Sequence, residues 1–123
     1  IRGIAKAGAS FTKAACVVAH NNNDFYYTGF SYLFSHPEYA NTSLVHAIGQ
    51  AIDRLEAVLP QFINDAPGSK PRIYLGPENP LGQYCAAAFI SNESKNMIFG
   101  IISPVRTHYS KNIGLLNAVA AYL

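Results

Sequence analysis

Charge is what this chain has least of. Only 13% of its 123 residues are Asp, Glu, Lys or Arg, where an ordinary globular domain carries about 25%. Nine basic residues against seven acidic ones leave a formal charge of +2 and no run of Lys or Arg, so composition alone marks no nucleic-acid-binding face. Tryptophan is absent and cysteine occurs twice. Cys16 and Cys85 each sit in an apolar stretch, which reads as small buried hydrophobes rather than a disulfide framework. No apolar run approaches the ~20 residues of a membrane-spanning helix, and Ile1-Arg2-Gly3 opens no signal-peptide core. The expectation is a soluble, cytoplasmic chain with no membrane partner. Its first residue is not Met and its pattern starts in mid-helix, so it is expected to be a piece of a longer protein.

Catalytic signatures are missing as well. There is no Gly-x-Ser-x-Gly elbow, no phosphate-cradling Gly-rich loop with its Lys, no Cys-x-x-Cys and no His-Glu-x-x-His. The four histidines, His20, His36, His46 and His108, are not spaced to share a helix face. The expectation is a non-enzyme with no catalytic residue, no metal site and no cofactor.

What is present is apolar and aromatic: half of the chain is hydrophobic, with eight Tyr and seven Phe. A domain of this length buries roughly two-thirds of the surface that its unfolded chain exposes, and fifteen aromatic rings in so small a body imply that some remain at the surface for a partner. Residues 1–123 are read as one domain. Ile1 to Ala9 reads as the tail of a helix, and Phe11 to Ala19 as a strand ending in a continuous apolar run. His20 to Asp24 reads as a turn, Phe25 to Thr28 as a second strand, and Phe30 to Phe34 as a turn of helix after the Gly29 break.

Leu44, Ile48, Ile52, Leu55, Leu59 and Phe62 recur at spacings of three and four, predicting a long helix from Asn41. Pro60 lacks a backbone donor and is expected to end or kink that helix, leaving Gln61 to Asn64 as a loosely attached turn. Three more strands follow: Arg72 to Leu75, Tyr84 to Ile90, and Met97 to Ile102. The last two form a hairpin, and the unalternating Ile98 to Ile102 is placed near the sheet centre. Ile113, Leu116, Ala120 and Leu123 mark a final helix entered near Tyr109. This order predicts an α+β sandwich.

Three segments are less easily explained as packing. Gly29 to Tyr39 is aromatic-rich and closes on His36-Pro37-Glu38-Tyr39; its Phe30, Tyr32, Phe34 and Tyr39 read either as an interface or as a core turn. Tyr74 to Pro80 ends a strand in a Gly-Pro turn carrying Glu78 and Asn79, which read either as ligand contacts or as local satisfiers of backbone donors. Gly100 to Tyr109 leads from the central strand through Pro104 into Arg106 and Tyr109. Arg106 pairs with an acid such as Glu78, or binds an anionic ligand, or caps carbonyls of the connection.

In this order the three segments resemble the C-terminal part of the bacterial heat-inducible transcription repressors, the class-one heat-shock repressors. The family's Gly-x-x-x-Leu-x-x-x-Pro-Glu-Phe run is matched by Gly29, Leu33, Pro37, Glu38 and Tyr39. Its Ile-Gly-x-Glu-Asn strand end is matched by Leu75, Gly76, Glu78 and Asn79, and its Gly-x-x-Gly-Pro-x-Arg-Met-x-Tyr signature by Gly100, Pro104, Arg106 and Tyr109. Ser103, Val105 and Thr107 depart from that signature, and only His20 to Asp24 stand where the family carries a long stretch that includes an inserted dimerising region. The resemblance implies a GAF-like regulatory and dimerisation domain, shortened, following an upstream winged-helix domain that binds a DNA operator. It also implies a homodimer, repression of chaperone genes and a chaperonin as a further partner. The alternative is a GAF-like small-molecule sensor that need not bind DNA.

Overall fold

The computed structural model describes residues 2–20, 24–35, 42–65, 70–76, 79, 81, 85–92, 97–105 and 109–122. Helix α1 (Arg2–Thr12) turns Ala5 and Ala9, one turn apart, onto the sheet and leaves Lys6, Ala7 and Ser10 in solvent. It runs past Ala9, so Phe11 and Thr12 belong to the helix and not to the strand expected there. Two contacts, one local and one distant in sequence, favour that outcome. The Thr12 hydroxyl donates to the Gly8 carbonyl at 2.8 Å, and the Lys111 ammonium lies 4.7 Å from the Phe11 ring centre. The helix ends at Lys13, whose φ of 54° is left-handed.

Strand β1 (Ala15–His20) follows, with β2 (Asp24–Thr28) beside it. His20 and Asp24 close the ladder of this hairpin rather than forming part of a turn. Gly29 adopts a φ of +90°, and a Cβ there would lie 2.6 Å from the Ala14 carbonyl oxygen, so only glycine lets the chain turn from β2 into the short helix α2 (Phe30–Phe34). The long helix α3 (Thr42–Asp65) continues through Pro60 without ending there. One missing hydrogen bond, costing about 3 kcal/mol, is outweighed in a helix that buries several aliphatic side chains worth roughly 1.5–3 kcal/mol each.

Strands β3 (Arg72–Tyr74), β4 (Ala86–Asn92) and β5 (Met97–Ser103) and helix α4 (Tyr109–Tyr122) complete the order. The sheet runs β2-β1-β5-β4-β3 with every neighbouring pair antiparallel. β5 is central and buried along its whole length, as its unalternating sequence predicts.

Both faces of the sheet are covered. Ile48, Ala51, Leu55 and Leu59 of α3 pack on Ala15, Val17, Ala87, Phe89, Ile98 and Ile102. Ala5 and Ala9 of α1 and Leu116 and Val119 of α4 pack on Cys16, Val18, Ile90, Phe99 and Ile101. The two cysteines therefore lie in separate cores, both buried and free. Phe89 stands directly across the ladder from Gly100, and a Cβ on Gly100 would fall 2.2 Å from its ring. The glycine leaves a strip of bare backbone and the ring fills it. The result is an α+β, GAF-like fold with an antiparallel sheet and helices packed on it.

Candidate functional site

Register brings the three unexplained segments to one end of the sheet. Thr28 pairs with Cys16, Tyr74 with Ala87, and Ser103 with Ala86. The closing ends of β2, β3 and β5 thus share one end with the starts of β1 and β4, and Gly29, Gly76 and Pro104 leave the sheet there.

Asn79 organises the connection from β3 to β4. It is buried; its Nδ2 donates to the Cys85 carbonyl at 2.9 Å and approaches the Cys85 Sγ at 3.7 Å. Its Oδ1 accepts the Leu81 N–H at 3.1 Å, and its own N–H donates to the Gly76 carbonyl at 3.1 Å. Gly76 sits at φ +61°, the left-handed conformation that starts this turn. Every polar atom of the Asn79 side chain is therefore spent inside the fold. Arg54 of α3 reaches the same connection, its Nη2 donating to the Leu81 carbonyl at 3.3 Å.

Pro104 is fully buried behind β5. The Tyr109 hydroxyl donates to the Val105 carbonyl, fastening the first turn of α4 to the segment that leaves the sheet. Beneath them Asn112 and Ser103, both buried, meet at 3.4 Å between the amide nitrogen and the hydroxyl. Sequence reasoning passed over this pair, because it counted only apolar residues on the inner face of α4. Asn112, one turn before Leu116, was the available signal: a polar side chain on a buried stripe requires a partner. Glu78, Arg106 and Tyr39 lie outside the described residues.

The aromatic segment is half-buried. Phe30 and Phe34 lean on the α3-side core and Tyr32 on the other, with the Lys13 ammonium 5.0 Å from the Tyr32 ring centre. A cavity between α2, α3 and the sheet is bounded by Phe30, Leu55, Leu81, Cys85 and Ile102 and measures about 10 Å³, room for about one water.

Burial pushes the Cys85 thiol up to about 11, against partial relief from the Asn79 amide and the Arg54 charge. Burial pushes Cys16 higher, to about 12, with the Thr12 hydrogen bond opposing it. Both stay protonated at neutral pH and are poor nucleophiles. Among the described residues no three His, Cys, Asp or Glu side chains gather to hold a metal, and no helix is long and apolar enough to cross a membrane.

The chain's own pattern over this frame matches a known one: the family model for the HrcA protein C-terminal domain fits residues 3–113. The chain belongs to the HrcA family. A curated relative, the heat-inducible transcription repressor HrcA of Thermodesulfovibrio yellowstonii, is 22% identical over 108 residues. The match covers 84% of this chain and 31% of the relative, so this HrcA domain spans about a third of that protein's length. The matched stretch takes in the whole sheet and every described residue at its motif-bearing end.

Proposed function

We propose that this chain is the regulatory and dimerisation domain of a heat-inducible transcriptional repressor that negatively regulates chaperone genes in the bacterial cytoplasm. The observation that carries this reading is the family match along residues 3–113, supported by the relative whose name is that of such a repressor. In this reading a winged-helix domain upstream contacts the operator, and this domain holds two copies together, since a twofold DNA site is read by a symmetric pair. The aromatic segment with Phe30, Tyr32, Phe34 and Tyr39 supplies interface area, and a chaperonin is a second partner for the same low-charge surface.

Glu78, Asn79, Pro104, Arg106 and Tyr109 act together as a lock on the motif-bearing end of the sheet, and none is catalytic. Arg106→Ala then lowers the melting temperature or weakens dimerisation; unchanged melting and sedimentation would remove Arg106 from the lock. The sensor reading calls for a pocket of about 300–1,000 Å³; the cavity between α2, α3 and the sheet, with room for about one water, is not that pocket. In cells, deleting the parent gene raises chaperone transcripts at the ordinary growth temperature. Transcript levels that do not respond to the deletion contradict the repressor reading.

A further inference from the structure

The two edges of the sheet are built differently. β3 is three residues long, begins at Arg72 directly after Lys70 and Pro71, and so carries the short length, basic charge and proline that discourage pairing with another strand. β2 is five residues, Asp24–Thr28, with neither Pro nor Lys, and its five consecutive partners on β1 show no bulge. Its outer side faces no further strand among the described residues. On the α3 side of the sheet Phe25 stacks on Tyr27 with ring centres 6.0 Å apart, and Phe30 meets Tyr27 edge-on at 5.4 Å. Tyr27 remains 43% exposed at the top of this aromatic row.

We propose that β2 is the self-association edge of this protein, pairing antiparallel with β2 of a second copy about a twofold axis at Tyr26. This rests on the dimer reading above and gives it a location. In that register Phe25 faces the partner's Tyr27, so the two stacked rows interleave as aromatic cross-strand pairs. Asp24, the one charged side chain of the strand, faces the neutral Thr28 of the other copy, so the twofold brings no like charges opposite each other. The match is of one edge to itself, which selects a second copy over an unrelated strand. The protected β3 edge stops the pairing there, giving a closed pair with one ten-stranded sheet rather than a fibre.

The test uses sedimentation equilibrium and amide hydrogen exchange on the 123-residue chain at low and high concentration. The expected result is a dimer in which the Phe25–Thr28 amides gain protection as concentration rises. Tyr27→Lys raises the dissociation constant by about tenfold or more, whereas Tyr27→Phe and Ile73→Lys on the β3 edge leave it unchanged. A dimer whose β2 amides ignore concentration, or that Ile73→Lys weakens as much as Tyr27→Lys, overturns the edge assignment and leaves the dimer reading standing. A chain that stays monomeric throughout overturns both. If Tyr27→Lys fails to fold, the exchange pattern of the unaltered chain decides.

Discussion

Asn79 shows how a residue in a motif can be fully occupied by the fold. Its side chain joins the turn at Gly76, the amide of Leu81 and the carbonyl of Cys85 while buried from water. Replacing it with alanine leaves a buried donor and a buried acceptor without partners, a loss of about 1–3 kcal/mol that urea denaturation reads as a lower midpoint at unchanged slope. Full stability in Asn79→Ala would show that water replaces the amide at no cost. The cysteines give a second residue-scale consequence. In the unfolded chain thiols titrate near 8.5, whereas burial holds Cys85 to about 11 and Cys16 to about 12 in the fold. Between those values the folded chain binds more protons than the unfolded one. The thiols' contribution is complete below about pH 8.5 and declines as pH rises toward the folded values. Converting both cysteines to alanine flattens that alkaline decline in unfolding free energy; an identical pH profile in the double variant would remove the thiols as its cause.

At the scale of elements, the sheet and its long helix were legible because their signals are periodic. β5 reads as buried on both faces from an unbroken apolar run, and it is; the α3 stripe places Ile48, Leu55 and Leu59 in the core. The end of α1 was not legible, since Phe11 favours a strand by propensity and one of the two contacts that favour the helix comes from Lys111, a hundred residues along the chain. Pro60 misled for a related reason: it reports one lost backbone bond, and the packing of the whole helix decides. The pairing of Phe89 with Gly100 also needs register, which composition does not carry. Gly100→Ala drives a methyl into that ring and destabilises by about 1–3 kcal/mol. Combining it with Phe89→Leu recovers part of the loss in a double-mutant cycle. Additive losses would show that ring and glycine are not coupled.

For the whole molecule, the three motif segments follow β2, β3 and β5 along the chain, the sheet sets the third between the first two, and antiparallel register gathers their strand ends at one end. That gathering was legible as a possibility from three strand ends and a helix start. The inward orientation of Asn79 and Pro104 was not, because their burial depends on how the elements that follow β3 and β5 pack against the strands. A motif of this kind preserves a shape, and the shape positions whatever the rest of the protein presents to its target. The most direct measurement is fluorescence anisotropy of the full-length parent protein on an inverted-repeat DNA taken from upstream of its chaperone genes, against a scrambled duplex at the same salt. The account predicts binding of one dimer per repeat with clear preference over the scrambled site. Equal affinity for both duplexes, or binding by a monomer, would contradict it.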